Sequence, residues 1–157
     1  PDVYFVLCGD GIDASNRELR GWIDAAGVGG VCRLLGRRDD IPRLTAAFDI
    51  ATSSSVGEGF ANVIGEAMAC GVPCVVTDVG DSADVVGDTG RVVPPAAPQA
   101  LAAAWSELIA LGAAARAALG QAARRCVEQH YSLPAVAAHY AALYAEVAND
   151  VRARRIS

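Results

Sequence analysis

The stretch Thr52–Gly80, TSSSVGEGFANVIGEAMACGVPCVVTDVG, decides the fold. Glu58 closes a loop of small residues, Gly59-Phe60-Ala61 opens a helix, and Phe60, Val63, Ile64, Ala67 and Met68 recur at helical spacing as one apolar face. Gly71 and Pro73 stop that helix. Cys74–Thr77 has the length and β-branched content of a buried strand, and Asp78 to Gly80 turn the chain away from its end. Glu66 falls on the helix flank away from the apolar face, with Asn62 one turn before it. Its carboxylate therefore reaches a cleft rather than the core.

Upstream, Val3–Cys8 predicts a buried strand that ends at Gly9-Asp10-Gly11. A helix follows over Asn16–Ala26, with Leu19, Trp22, Ile23 and Ala26 on one face. Then come a strand over Val31–Leu35, a polar turn, a short helix over Ile41–Ala47 and a strand over Phe48–Thr52. Downstream, Asp84–Val86 predicts a helical turn, Arg91–Val93 a short strand closed by Pro94-Pro95, and residues from Pro98 onward three helices: Pro98–Leu111, Ala113–His130 and Pro134–Asn149. Strands alternating with helices predict an α/β fold, a Rossmann-like doubly wound parallel sheet with flanking helices.

The composition fits a packed domain of ordinary size: 157 residues, 53% hydrophobic and 20% charged. No apolar run approaches the roughly 20 residues needed to span a bilayer. A net charge of −5 argues against nucleic acid as a partner, because phosphate binding needs a positive surface. The five cysteines, Cys8, Cys32, Cys70, Cys74 and Cys126, lie mostly in apolar runs and read as reduced, buried small hydrophobes. There is neither a C-x-x-C pair nor a histidine cluster, so no metal site is expected.

Glu58-Gly-Phe-Ala-Asn-Val-Ile-Gly-Glu66, two glutamates separated by seven residues, is followed by Ala-Met-Ala-Cys-Gly-Val-Pro and a strand. This pattern resembles the donor-site signature of retaining, nucleotide-sugar-dependent glycosyltransferases of family 4. There it lies in the C-terminal half of a two-domain (GT-B) enzyme. The resemblance implies that Glu58 is catalytic and faces the donor sugar and phosphate, that Glu66 binds the nucleotide ribose, and that Gly59, Phe60, Ala61 and Asn62 line the donor site. Val6–Gly11, Leu34–Gly36, Asp88–Pro94 and Tyr131–Leu133 are similar to further landmarks, which adds Gly9 as a donor contact. Arg37, just past a strand's carboxyl end where doubly wound sheets place ligands, is a candidate too, with a solvated turn as the alternative.

The same resemblance implies a nucleotide-sugar donor as partner, with no cofactor and no metal, since positive groups and helix N-termini can stabilise a leaving diphosphate. The family's usual glutamate after the central strand's glycine turn is matched only by Asp81-Ser-Ala-Asp84. The family's first βα unit and its acceptor domain have no counterpart, so the chain reads as a fragment: 1–132 a donor-binding domain, 133–157 a helix and tail packing on it or toward an N-terminal domain. Three expectations follow. The fragment alone is inactive, its unpaired strand edges favour self-association, and the enzyme is cytoplasmic, with a peripheral position at the membrane's inner face as a variant.

Other signals have plainer readings beside them. Glu58 and Glu66 taken singly are ordinary exposed charges. Ser53-Ser54-Ser55 can hydrogen-bond a ligand but suits strand-end turns better, without a G-x-S-x-G elbow, and Arg152, Arg154 and Arg155 suit a frayed terminus more than a membrane surface. Gly9-Asp-Gly-Ile-Asp-Ala14 fits G-x-G-x-x-A and raises an NAD-type oxidoreductase as the rival. Asp10 and Asp13 would oppose a pyrophosphate, and Ser15-Asn16 delays the helix start. A non-catalytic nucleotide-binding or interaction module is the third reading.

Overall fold

A computed structural model describes residues 3–154. The chain divides into two compact units, Pro1–Ile41 and Pro42–Ser157. In the first, strand β1 (Phe5–Leu7) and strand β2 (Cys32–Leu34) pair in parallel around helix α1 (Arg17–Ala25) in the sequence. Asn16 caps α1 by accepting the Leu19 amide at 3.0 Å, and its own side-chain amide donates to the Gly11 carbonyl at 2.8 Å. Leu19 and Ile23 are half-buried, whereas Trp22, expected on the same apolar face, is 64% exposed.

The second unit begins within helix α2 (Ile41–Thr45). Strand β3 (Ala51–Ser53), helix α3 (Asn62–Ala69) and strand β4 (Cys74–Thr77) follow. Helix α4 (Ser82–Val86), a 3-10 turn (Gly87–Thr89) and strand β5 (Arg91–Val93) lead to helices α5 (Pro98–Ala110), α6 (Gly112–His130) and α7 (Leu133–Arg154). The strands run parallel in the order β3-β4-β5, with Thr52 opposite Val75 and Val76 opposite Val92. The expected strand over Phe48–Thr52 starts three residues late. The Phe48 amide donates back to Thr45 at 3.0 Å as α2 unwinds, and the ladder opens only where the Ala51 amide reaches the Pro73 carbonyl.

All four residues of β4 are buried, and their side chains alternate between two cores. Cys74 and Val76 pack with Ile64, Ala67 and Met68 of α3, Val85 and Val86 of α4 and Ala123 of α6. Val75 packs on the opposite face with Val93, Ala104 and Leu108, the last two from α5. Helices thus cover both faces of a parallel sheet, the doubly wound arrangement. Glycines let the layers close: a Cβ on Gly120 would meet the Gly71 carbonyl, and one on Gly90 the Cys74 carbonyl.

The cysteines correct one expectation. All five are unpaired, but Cys74 alone is fully buried and the other four are half-buried. Burial pushes the Cys74 thiol up to about 12. Helix α7 is exposed on most of its length, with Leu133, Tyr140, Leu143, Tyr144 and Val147 open to solvent. The side chains of Arg152, Arg154 and Arg155 lie outside the described residues. No single helix among the described residues is long and apolar enough to cross a membrane.

Candidate functional site

The loop from Ser54 to Ala61 leaves the carboxyl end of β3, the end at which open α/β sheets place ligands. It does not become helix at Gly59. Ala61 is extended (φ −81, ψ 90) and accepts the first helical bond, from Ile64 at 3.0 Å, so α3 starts at Asn62. The reason lies in the partner of Gly59, whose carbonyl accepts the Asp81 amide at 3.1 Å from the turn after β4. Bound outward there, it cannot serve the helix.

The expected apolar face is only partly buried. Ala61, Ile64, Ala67 and Met68 are buried, but Phe60 is 44% and Val63 63% exposed. Phe60 instead meets the ring of Tyr131 at 6.0 Å between centroids, tilted by 46°. The Tyr131 phenol is pushed up by its burial first, then by nearby Cys126, Asp84 and Asp81. Asp84 is exposed on α4.

Glu58, Asn62 and Glu66 are all exposed, Glu58 on the loop and the other two one turn apart on α3. Glu58 accepts a hydrogen bond from the Ser55 hydroxyl at 2.8 Å. The Ser55 carbonyl in turn accepts from the Thr77 hydroxyl at 2.6 Å. Gly80 closes the other side at φ +52, and a Cβ there would collide with the Glu58 and Gly59 carbonyls. The first turn of α3 has no side-chain cap, so its leading N–H groups face outward unpaired by any capping side chain. Two exposed carboxylates on the loop and helix that follow β3, with the helix N-terminus between them in sequence, suit a ligand that carries both hydroxyls and an anion. Ser55 was weighed as a ligand hydrogen-bonder rather than as a partner of Glu58, and Thr77, Gly80 and Tyr131 were not foreseen as neighbours of this site. A serine three residues before the glutamate was the one local signal, and the others are long-range contacts.

Gly9 and Arg37 belong to the first unit. The Gly9 amide donates to the Gly36 carbonyl at 3.0 Å, and Arg37 stands 3.7 Å from Asp10 with both side chains exposed. In the rival dinucleotide motif, Asp13 accepts the Ser15 amide at 2.7 Å and its hydroxyl at 2.6 Å, and these bonds hold its carboxyl below the usual range. With α1 starting only at Arg17, the G-x-G-x-x-A loop does not lead directly into a helix N-terminus as a pyrophosphate site requires. No group of three or more His, Cys, Asp or Glu arranged to hold a metal occurs among the described residues.

The fold is a parallel α/β domain of the Rossmann-like kind, with its candidate site at the strands' carboxyl ends. The family model described as "Glycosyl transferases group 1" matches residues 1–110, and the chain belongs to that family of glycosyltransferases. It is 32% identical over 118 residues to N-acetyl-alpha-D-glucosaminyl L-malate synthase of Bacillus anthracis, covering 74% of this chain and 31% of that one. A shorter match, 34% over 79 residues, is to the UDP-Gal:alpha-D-GlcNAc-diphosphoundecaprenol alpha-1,3-galactosyltransferase of Escherichia coli, over 50% of this chain and 20% of that one. Among solved structures, Anabaena HepE in complex with UDP superimposes with a TM-score of 0.82 at 29% identity, over 93% of this chain and 42% of that one. The chain therefore spans about a third of the length of the B. anthracis relative. The GT-B type of these neighbours agrees with the expected Rossmann-like α/β fold.

Proposed function

We propose that this chain is the donor-binding domain of a retaining glycosyltransferase, the C-terminal half of a GT-B enzyme, which moves a sugar from a nucleotide to an acceptor hydroxyl. The observation that carries this is the placement of Glu58 and Glu66: both exposed, one at the carboxyl end of β3 and one on the flank of the helix that follows. HepE binds UDP and the E. coli relative is named for UDP-Gal, which supports a nucleoside diphosphate sugar as the ligand class.

Glu58 would face the transferred sugar and its phosphate, where a fixed carboxylate can stabilise positive charge developing at the anomeric carbon. Glu66 would accept the two ribose hydroxyls. The N–H groups of Gly59, Phe60 and Ala61 and the start of α3 at Asn62 would receive the diphosphate, whose charge grows as the sugar departs. The proton of the acceptor hydroxyl must leave as the new glycosidic bond forms, and the leaving phosphate is the nearest base this reading supplies.

Calorimetric titration with UDP, GDP and ADP, with NAD as control, tests the reading. One nucleoside diphosphate binds and NAD does not. Glu66→Ala should weaken that binding by about 1.5–3 kcal/mol, the range for hydrogen bonds to charged groups, without lowering the melting temperature. Unchanged affinity would remove Glu66 from the site. Glycosyl transfer by the 157 residues alone is not expected, because the remaining length of the relatives would hold the acceptor. Multiple turnovers by the purified chain would refute that.

A further inference from the structure

We propose that Ser55 and Thr77 are positioning residues for Glu58, a pair of hydroxyls through which the buried strand β4 fixes the direction of an exposed carboxylate. The proposal rests on the reading of Glu58 as the carboxylate that faces the donor. Glu58 by itself is a long, exposed side chain with free rotamers, and a single surface hydrogen bond would not hold it. What distinguishes this bond is the anchoring of its donor. Thr77 is 4% exposed at the last position of β4, paired to β3 and β5 on either side, and its hydroxyl reaches back twenty-two residues to the Ser55 carbonyl at 2.6 Å. Ser55 then donates to Glu58 at 2.8 Å, while the Ser53 hydroxyl lies 3.5 Å from the Ser55 hydroxyl.

A plainer reading makes Ser55–Glu58 a local loop bond of the kind serines commonly form. It leaves the Thr77 bond without a role. A threonine at a strand end can satisfy its hydroxyl within a neighbouring turn, yet this one tethers the middle of the loop, and a second tether follows at Gly59 through the Asp81 amide. Glu58 is thus held three residues before and one residue after itself, in both cases from the carboxyl end of β4. A carboxylate fixed in this way needs no reorganisation when charge develops opposite it.

Two measurements on Ser55→Ala, Thr77→Val and the conservative Thr77→Ser test this. Three-bond couplings in the ligand-free chain read the Glu58 χ1 rotamer: one rotamer is expected in the wild type and in Thr77→Ser, and averaging in the other two. Calorimetry then compares UDP-glucose with UDP, and GDP-mannose with GDP. Ser55→Ala should lose about fivefold to tenfold in sugar-nucleotide affinity, the net worth of an ordinary hydrogen bond rather than of a desolvated charged one since Glu58 is exposed, and none for the bare diphosphate. Should Thr77→Val fail to fold, Ser55→Ala, at a half-buried loop position, carries the test. A Glu58 that keeps one rotamer in Ser55→Ala, or that averages already in the wild type, overturns the proposal, as does unchanged sugar-nucleotide affinity in a chain that binds these probes. A wild type that binds none of the probes refutes the donor-site reading instead, and the couplings then decide the relay alone.

Discussion

The two units share one grammar and differ in what they bury. In the first, β1-α1-β2 supplies no fully buried side chain among the described residues. In the second, the fully buried apolar side chains among the described residues lie between Ala61 and Ala123, and all but Val72 fall into two cores on the two faces of β4. The apolar content of the strands does not explain this, since Val3–Cys8 is as apolar as Cys74–Thr77. Neighbours do. Strand β4 has a strand on each side and helices on both faces, whereas among the described residues β1 pairs with β2 alone. Burial in a parallel sheet belongs to the layers around a strand, and the candidate site of the second unit is built on the strand that has all of them.

The largest test of that difference compares two big side chains. Met68 is fully buried, and Met68→Ala should cost about 2–5 kcal/mol through lost transfer and a cavity. Trp22 is 64% exposed, and Trp22→Ala should stay within about 0.5 kcal/mol despite the larger deletion. Urea denaturation reads both. Equal costs would mean that the first unit buries its helix face in solution.

Next in size is a pair of left-handed glycines. Gly27 in the first unit, at φ +69, has nothing within 4 Å of an added Cβ, so Gly27→Ala meets only the conformational cost of about 1–2 kcal/mol. Gly80, at φ +52, would in addition drive a Cβ into the Glu58 and Gly59 carbonyls, and Gly80→Ala should cost about 1–3 kcal/mol more. It should also displace the Glu58 loop, which crystallography or the Glu58 couplings would register. Equal losses at the two positions would show that the loop yields freely and that the turn after β4 does not brace it.

These contrasts mark what could be read from the sequence. Cys74–Thr77 and Arg91–Val93 were legible to the residue, since a short apolar run between proline or glycine stops has one solution in a parallel sheet. Glu58 was legible as a loop residue, though not as the loop's end, and Glu66 as an exposed helix position, because both follow from local spacing. The start of α3 was not, for the Asp81–Gly59 bond at that start joins residues twenty-two apart. Phe60 was placed on the helix on that account, whereas Val63 lies on α3 beside the buried stripe of Ile64, Ala67 and Met68 but outside it. The Thr77–Ser55 tether was hidden for the same reason, and the openness of the first unit was hidden because periodicity records which face is apolar, not whether anything covers it.

Alkaline pH sharpens the comparison further. The Cys74 thiol, held near 12 by burial against an ordinary value of 9.0, stays protonated in the folded chain while the unfolded chain releases its proton. Its stabilising contribution is therefore complete below about pH 9 and is lost as pH rises toward 12, at about 1.4 kcal/mol per unit. Cys74→Ala should flatten that slope in urea midpoints measured from pH 8.5 to 10.5. At pH 8, half-buried Cys8 and Cys32 should be alkylated well before Cys74, with mass spectrometry giving the order. Simultaneous labelling would place all three thiols in equally open surroundings.

The smallest effects come from the ion pairs, where the two units again part. Arg37 and Asp10 lie 3.7 Å apart with 77% and 80% of their side chains exposed, so water screens them and holding two long side chains together offsets the attraction. Arg37→Ala should change stability by less than about 0.5 kcal/mol. Arg116 is 15% exposed and does more than meet Asp49 at 3.2 Å: it donates to the Leu108 and Ile109 carbonyls at 3.3 and 3.1 Å, the open end of α5. Arg116→Ala should therefore cost about 1–2 kcal/mol, and raising salt to 1 M should recover little of it, because most of the loss is hydrogen bonding to carbonyls. Melting curves at low and high salt separate the two cases. If Arg37→Ala proves as costly as Arg116→Ala, the first unit holds a structural ion pair and Arg37 is no longer free to be a ligand contact; if it is silent in stability yet weakens nucleoside diphosphate binding, its role is in the site.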